Sequence, residues 1–369
     1  MILPTPPPVD ARIFQSVLDR MPDPAGQAET AALEEELEAA FGVAHAVAVS
    51  SGTAALHTAL AACGIGAGDE VLLPAITVMM TVAAVAEAGA HPVFVDAAPG
   101  GGMDLADLQT KITLCTRAIL PVHLHGRCGG IGELAVLARR HDLMLIEDTC
   151  QAQGSLYRGR PAGTFGEVGC FSLKDGKIYA AGEGGYLLTD NAAIAERAAA
   201  YRTHWAVGAP GMPAGSRLGR NYRLPELSAR LARHRLPGFP AELARRRAQA
   251  ALLTVAVGDL PGLEVIAPGE QEEPNGYSPL WHIRLAEPRA FAQHLADAGV
   301  PNSVGTFGLR AASTHPACQA LEPAPCPAAE HMVDHLLAVV LNTGDTEADL
   351  RARARIIQRE ALAWTVRTT

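Results

Sequence analysis

The strongest constraint on the fold is a run of short, continuously apolar segments that alternate with helical stretches. The apolar segments occupy residues 46–49, 70–74, 91–96, 118–124 and 143–148, and helical patterns occupy residues 53–63, 77–88 and 131–141. Strands without polar alternation are buried on both faces, and intervening helices supply the crossovers of a parallel sheet. The chain is therefore predicted to be an α/β protein with a mostly parallel central sheet. Ligands of such sheets bind at the carboxyl ends of the strands.

The length of 369 residues is enough for two domains. A proline-rich N-terminal arm is predicted over residues 1–28, a large domain over 29–240 and a smaller α+β domain over 241–369. In the second half, helices are predicted over 192–201, 224–236 and 241–253, a strand over 280–285, and loops over 204–221 and 315–329. The many arginines of residues 224–253 are interpreted as solvated helix faces.

Composition argues against several classes of function. The formal net charge of −9 disfavours binding to a nucleic-acid backbone but leaves room for a small anionic ligand. No secretory signal is recognised, and the most apolar stretch, residues 71–86, is too short and interrupted to cross a membrane. The seven cysteines are scattered without a CxxC pair, which is typical of a cytoplasmic protein with free thiols. His123 and His125 are spaced like a metal pair, but no acidic or cysteine partner is near in sequence, so no metal is predicted.

Polar residues cluster at the predicted strand ends. Gly52 and Thr53 open a helix, where backbone N–H groups could hold a phosphate, with an ordinary helix cap as the alternative. Asp148 ends a buried strand and could pair with a protonated pyridine nitrogen, or serve as a helix cap or another catalytic carboxylate. Ser172 offers a hydroxyl to a phosphate, and Lys177 precedes a glycine-rich turn. A lysine amine so placed can form a Schiff base with an aldehyde, which suggests a pyridoxal phosphate site.

Six motifs in one order carry a resemblance to a known family. They are Ser51-Gly52-Thr53, Pro92-Val93-Phe94-Val95-Asp96, Pro121-Val122-His123, Glu147-Asp148 with Gln151-Ala152, Gly182-Glu183-Gly184-Gly185 and Arg220-Asn221-Tyr222-Arg223. With them the chain resembles the DegT/DnrJ/EryC1/StrS family of pyridoxal phosphate-dependent sugar aminotransferases. The match is dense over residues 30–235 and weak from residue 255 onward. The resemblance implies fold type I, as in aspartate aminotransferase.

By this resemblance Lys177 is the Schiff-base lysine, Asp148 pairs with the pyridine nitrogen, and Gln151 lies near the ring hydroxyl. Lys174 is close by, but the distance from Lys177 to the glycine motif at 182–185 is the one that fits the family. After imine exchange with an amino substrate, Lys177 would be free to move the α-proton as a general base. Lys177 and Asp148 are therefore the predicted catalytic residues.

The resemblance also implies which residues hold the rest of the cofactor. Gly52, Thr53 and Ser172 would hold the phosphate. Asn221 would reach the phosphate of the neighbouring subunit's cofactor, so the expected active unit is a homodimer with shared active sites. Val78 stands where the family often places an aromatic residue over the cofactor ring, so aliphatic stacking is expected there.

The predicted activity is transfer of an amino group from glutamate or glutamine to a keto sugar, a nucleotide-linked keto sugar or a keto cyclitol. His123, Tyr179 and Tyr222 are candidates to contact the substrate. Two alternatives stay open: another pyridoxal phosphate reaction, such as elimination, dehydration or epimerisation, and a non-catalytic regulatory homologue. Some members of the family carry histidine in place of the lysine and act as dehydratases, so the presence of Lys177 favours transamination.

Overall fold

The computed structural model describes residues 10–19 and 27–368. Residues 1–9 and 20–26 of the predicted N-terminal arm therefore lie outside the described residues. Within the described ranges, no helix combines the length and the apolar character needed to cross a lipid bilayer.

The first part of the chain alternates strands with helices, as its apolar pattern predicts. In chain order the elements are α1 (Gln15–Leu18), α2 (Ala28–Phe41), β1 (His45–Val49), α3 (Gly52–Ala62), β2 (Glu70–Pro74), α4 (Met79–Glu87), β3 (His91–Val95), α5 (Leu105–Thr110), β4 (Thr116–Ile119), α6 (Ile131–Arg140), β5 (Met144–Asp148), β6 (Leu156–Tyr157), β7 (Arg160–Pro161), β8 (Val168–Ser172), β9 (Gly185–Thr189) and α7 (Ala192–Arg202). Strand β2 covers the predicted residues, and α6 ends one residue before its predicted end.

One large sheet contains seven strands in the order β1-β9-β8-β5-β4-β2-β3. From β8 to β3 every neighbouring pair is parallel, whereas β9 pairs antiparallel with both β1 and β8. The prediction of a mostly parallel sheet is therefore confirmed. The connection from β8 to β9, residues 173–184, leaves the carboxyl end of β8 and carries Lys177.

Helices cover both faces of this sheet. Helices α3, α4 and α7 contribute to the core on one face, and α5 and α6 contribute to the core on the other. Successive residues of a strand point to opposite faces, so Leu73 joins the first core and Leu72 joins the second. Both leucines are 0% exposed, which is why the strand sequence shows no polar alternation.

The C-terminal part forms a smaller α+β unit. After α8 (Glu226–Arg235), which packs against α2, come α9 (Phe239–Val257), β10 (Leu263–Val265), β11 (Glu272–Glu273), β12 (Leu280–Ile283), α10 (Pro288–Asp297), α11 (Pro327–Asp334), β13 (Leu336–Ala338) and α12 (Glu347–Thr368). Strands β10, β12 and β13 form an antiparallel sheet whose core includes Trp281, Phe291 and Ile357. Strand β11 pairs with β6 and so joins this unit to the first part of the chain. The predicted division at residue 240 stays a prediction, and α9 begins at Phe239.

Two local predictions are wrong. Strand β4 ends at Ile119, and the predicted strand residues beyond it lead into a 3-10 helix at Leu124–Gly126 with His125 at a φ of 59°. Consequently the two histidines expected on one strand face do not share such a face. Residues 315–329 are not a plain loop, because Pro316–Leu321 is a 3-10 helix and α11 begins at Pro327. Proline suits the first turn of a helix, where its missing N–H has no intrahelical role.

The arginines of α8 and α9 are not simply a solvated face. Arg233 on α8 pairs with two glutamates of α2, at 2.6 Å to Glu29 and 2.7 Å to Glu36. Arg246 on α9 is 1% exposed and donates to the carbonyl oxygen of Leu341 at 2.8 Å. The solvated-face interpretation is therefore wrong for these residues, whose charges join helices to other segments.

Candidate active site

Helix α3 begins just after the carboxyl end of β1, and its first turn faces the site. Ser51 is the N-cap, and its Oγ accepts a hydrogen bond from Ala54 N at 3.0 Å. The first intrahelical bond runs from Ala55 N to Ser51 O at 3.0 Å, so the N–H groups of Gly52 and Thr53 precede the helical ladder. Such groups at the positive end of a helix dipole suit a phosphate. The capping and phosphate interpretations of this motif are thus compatible.

Gly52 lies where three segments of the chain converge. A Cβ atom at this position would be 2.8 Å from Cys150 Sγ and 2.8 Å from Ser172 Cβ. Contacts of this length are too short for carbon, so the position requires glycine for close approach. The start of α3 is therefore packed directly against the ends of β5 and β8.

Asp148 ends β5 as a carboxylate that is only 2% exposed. Thr81 Oγ1 on α4 donates to its Oδ2 at 2.7 Å, and Cys150 N donates to its Oδ1 at 3.1 Å. These two donors fix the orientation of the carboxylate. Burial, reinforced by the charge of Asp148, raises the pKa of the Cys150 thiol well above its usual value. That thiol is therefore protonated near neutral pH and does not act as a nucleophile.

Glu147 points to the opposite face of the sheet and is 0% exposed. Its Oε1 accepts from Phe165 N at 2.6 Å and Gly166 N at 2.9 Å, and its Oε2 accepts from Gly163 N at 2.8 Å. His123 Nε2 lies 2.8 Å from Oε2. Because a carboxylate only accepts, this histidine nitrogen carries the proton. Four donors thus satisfy one buried charge.

Lys177 is half-buried in the connection between β8 and β9. Its Nζ donates to the hydroxyl of Tyr277 at 3.4 Å. The charge of Lys177 also acts on the pKa of the Cys150 thiol, where it opposes the larger effect of burial. Lys177 lies on the connection that leaves the carboxyl end of β8, and Asp148 ends the neighbouring parallel strand β5, so both residues lie at the same edge of the sheet. Lys174, three residues earlier, is exposed.

Tyr277 is a residue that the sequence did not reveal. It lies in the C-terminal part of the chain, where the family motifs are weak. The preceding Asn275-Gly276 pair is a recognisable turn signal. That signal predicts a bend in the chain, but it does not indicate which distant side chain the following tyrosine contacts.

The other predicted cofactor residues are distributed around this centre. Ser172 is 6% exposed, and its Oγ accepts from Lys174 N at 3.3 Å. Gln151 Oε1 accepts from His125 N at 2.8 Å. Val78 is the residue before α4, the helix that carries Thr81. Asn221 is exposed in the single chain, so its expected contact with a second subunit stays a prediction.

The two tyrosines proposed to contact substrate have structural partners. Tyr179 is 1% exposed and its hydroxyl donates to the carbonyl oxygen of Ala232 at 3.0 Å. This tyrosine packs in the core beneath α2 and α8, so the structure does not support the substrate contact proposed for it. Tyr222 is half-buried, with its hydroxyl 3.0 Å from Nδ1 of His57. A substrate contact by Tyr222 stays a prediction.

A cavity of about 210 Å³ lies beside the site, at the carboxyl ends of β2 and β4. Its walls are mostly aliphatic and include Ile76 and Met332, and His123 also lines it. Lys177 and Asp148 are not among its lining residues, but His123, which lines it, donates its backbone N–H to the carbonyl oxygen of Asp148 at 2.9 Å. Among the described residues, no cluster of histidine, cysteine, aspartate or glutamate is arranged to hold a metal ion.

The profile of the DegT/DnrJ/EryC1/StrS aminotransferase family matches residues 23–353. The chain belongs to this family. The resemblance drawn from the six motifs is therefore confirmed, and the match extends through most of the smaller C-terminal unit. DegT-family aminotransferases use pyridoxal phosphate as cofactor.

Two relatives and one solved structure illustrate what this DegT-family chain is similar to. It is 38% identical over 255 residues to L-glutamine:2-deoxy-scyllo-inosose aminotransferase of Micromonospora echinospora, covering 65% of this chain and 60% of the relative. It is 34% identical over 341 residues to UDP-N-acetyl-3-dehydro-alpha-D-glucosamine 3-aminotransferase of Acidithiobacillus ferrooxidans, covering 89% of this chain and 87% of the relative. The structure of DesI in the presence of its TDP-sugar product superposes with a TM-score of 0.85 at 29% identity, covering 98% of this chain and 93% of DesI. The predicted fold is therefore confirmed.

The geometry of this DegT-family site fits the cofactor. A bound phosphate needs close backbone approach, and the Gly52 position has no room for a side chain between Cys150 and Ser172. A cationic ring nitrogen needs a fixed carboxylate, and Asp148 is buried with two donors orienting it. An aldehyde needs an amine near both, and Lys177 is half-buried on the connection that follows β8, the neighbour of the strand that ends at Asp148.

Proposed function

We propose that this chain is a pyridoxal phosphate-dependent aminotransferase that moves an amino group from glutamine or glutamate to a keto sugar, a nucleotide-linked keto sugar or a keto cyclitol. The observation that carries the proposal is that Lys177, the buried Asp148 carboxylate and the first turn of α3 lie at the carboxyl ends of β8, β5 and β1, at one edge of the sheet. Relatives named as aminotransferases of a keto cyclitol and of a UDP-linked dehydro sugar support the class of acceptor.

Pyridoxal phosphate, when bound, supplies an aldehyde and an electron-accepting ring. The N–H groups of Gly52 and Thr53, with the hydroxyl of Ser172, would hold its phosphate at the start of α3. Asp148, held by Thr81, would keep a proton on the ring nitrogen, and so keep the ring electron-accepting. Gln151 would lie beside the ring hydroxyl, and Val78 would pack against the ring.

Lys177 would perform two tasks with one atom. Its Nζ would bind the aldehyde of the cofactor in the resting enzyme. Once an amino substrate displaces it, the same Nζ would move the proton of the substrate's α carbon. Lys174 is exposed, so we do not assign it these tasks. Because donor and acceptor would use the same amine in turn, we expect ping-pong kinetics.

We further propose that the active unit is a homodimer, with Asn221 reaching the phosphate site of the neighbouring subunit. What supports this is the exposure of Asn221 together with apolar side chains on the same loop. Leu218 is 91% exposed and Val207 is 71% exposed in the single chain. Apolar residues so exposed are favourable in a subunit interface.

We also propose that this enzyme is cytoplasmic. All seven cysteines lie within the described residues, and each of them is a free thiol. Free thiols are typical of a reducing compartment, which supports this location.

Cofactor attachment tests the proposal directly. The purified protein should absorb as a lysine-bound pyridoxal phosphate, and borohydride should fix the cofactor to the peptide that contains Lys177, as read by mass spectrometry. Lys177→Ala should lose this attachment while remaining folded. Lys174→Ala is the matched control, because it removes a lysine from the same turn and should keep the attachment. Cofactor fixed to the protein in Lys177→Ala would overturn the assignment of the amine.

The acceptor class is tested with a panel of keto sugars and keto cyclitols, with glutamine or glutamate as donor. Formation of an amino product, together with the keto acid of the donor, would establish transamination. Formation of a product that retains no donor nitrogen would show elimination, dehydration or epimerisation instead. Failure of the folded protein to bind the cofactor would favour a regulatory homologue.

A further inference from the structure

The contact between Lys177 and Tyr277 joins the catalytic amine to a distant part of the chain. The two residues are 100 positions apart, and Nζ lies 3.4 Å from the tyrosine hydroxyl. Nζ also lies 5.3 Å from the centre of the Tyr277 ring. With these two distances the amine lies beyond the hydroxyl end of the ring, where the hydroxyl oxygen can accept from the ammonium group.

The side chain of Asn275 holds the segment that carries Tyr277 against the loop that follows Asp148. This asparagine is 0% exposed, and its Nδ2 donates to the carbonyl oxygens of Gln151 at 2.9 Å and Gln153 at 3.0 Å. Its Oδ1 accepts from Tyr277 N at 2.9 Å. The side chain of Asn275 therefore ties the backbone of Tyr277 to the loop that follows Asp148.

Two glycines show how closely this segment is packed. Gly276 has a φ of +80°, and a Cβ there would lie 2.5 Å from the carbonyl oxygen of Arg246 on α9. A Cβ at Gly126 would lie 2.1 Å from Oδ1 of Asn275. With contacts this close on both sides, the segment has little freedom to shift, so the position of the Tyr277 ring is defined by the fold.

We propose that Tyr277 is a positioning residue for Lys177. It holds Nζ by its hydroxyl whenever that amine is not covalently engaged, and so keeps it within reach of the substrate's α carbon. This inference rests on the proposed function for its kinetic consequence, but the contact itself is a property of the folded chain. It also makes the C-terminal part of the chain a direct contributor to the reaction.

The first test measures the reactivity of the amine without any catalytic turnover. The full-length protein, freed of cofactor by dialysis against cysteine, is treated with limiting acetic anhydride, and acetylation of Lys177 is measured by peptide mass spectrometry relative to Lys174. Loss of the hydroxyl in Tyr277→Phe should raise the Lys177 to Lys174 ratio by about fivefold, the value of one hydrogen bond. Tyr157→Phe is the matched control, because its hydroxyl contacts Glu133 and Gln271 instead. An unchanged ratio in Tyr277→Phe would overturn the proposal.

The second test separates positioning from binding. In Tyr277→Phe, kcat should fall about tenfold while KM for the amino donor stays within about twofold, since the lost hydroxyl serves the amine and not the substrate. The isotope effect with an α-deuterated donor should increase, because proton transfer becomes slower. A normal kcat with an unchanged isotope effect would refute the role. If the wild-type protein forms no borohydride-fixed cofactor, the proposed function fails, whereas the acetylation ratio still decides whether Tyr277 holds the amine.

Discussion

Replacing Glu147 with glutamine should destabilise the protein far more than its single-atom change suggests. The carboxylate is buried at the end of β5 and faces four donors: the N–H groups of Gly163, Phe165 and Gly166, and Nε2 of His123. Glutamine turns one accepting oxygen into a donating amide nitrogen. Some of these donors must then face another donor.

The magnitude follows from counting donors in the two possible orientations of the amide. If the amide nitrogen replaces Oε1, it faces the N–H groups of Phe165 and Gly166. If it replaces Oε2, it faces Gly163 N and His123, and His123 can relieve one conflict by presenting an unprotonated nitrogen. At least one backbone N–H loses its acceptor, and every remaining bond loses the assistance of the charge. We expect Glu147→Gln to lower the free energy of unfolding by about 3–5 kcal/mol.

The assay is urea-induced unfolding followed by circular dichroism, on wild type and variant under identical conditions. Glu133→Gln is the matched control, since that glutamate lies on α6 with its side chain 46% exposed, and its free energy of unfolding should change by less than about 0.5 kcal/mol. A loss below about 1 kcal/mol in Glu147→Gln would show that the four contacts do not stabilise a buried charge, and the reasoning would be refuted.

Further predictions concern packing and pH. Gly52→Ala should lower the free energy of unfolding by about 1–3 kcal/mol, because its Cβ would lie 2.8 Å from Cys150 Sγ. It should also weaken cofactor affinity in a spectroscopic titration. Gly238→Ala is the control and should change neither quantity, since nothing lies within 4 Å of its Cβ. Burial, and then the charge of Arg127, lower the pKa of His125 to about 4. As pH falls from 6.5 to 4, the imidazole of His125 binds a proton in the unfolded chain but not in the folded chain. The free energy of unfolding therefore decreases over this pH range. His125→Asn lacks this group, so its free energy of unfolding should fall by about 3 kcal/mol less than that of wild type between pH 6.5 and pH 4. Parallel pH dependences of the two unfolding free energies would contradict this.

Much of the large sheet could be predicted because strands that are buried on both faces are apolar at successive positions of the sequence. Strand β2 covers its predicted residues 70–74, since Leu72 and Leu73 each enter a different core and both must be apolar. Prediction failed after Ile119, where apolar residues continue but the backbone turns at His125. Composition alone does not distinguish a strand from an apolar turn that is buried by neighbouring segments.

The convergence of the site could also be predicted, for a topological reason. In a parallel sheet the carboxyl ends of all strands meet at one edge, so residues that follow different strands become neighbours. Gly52 follows β1, whereas Asp148 and Ser172 end β5 and β8, and Gly52 packs against Ser172 as this rule requires. The roles of these residues toward the cofactor stay predictions.

What the sequence determined by itself is therefore the class of fold, the family and the set of strand-end residues, because these depend on periodicity and short motifs. Only the tertiary structure revealed the partners of Arg246, the four donors around Glu147 and the approach of Tyr277 to Lys177. Each of these contacts joins residues whose meeting depends on how whole elements pack. A charged side chain carries no local signal of whether water or a distant backbone group will satisfy it, so that outcome is decided by the completed fold.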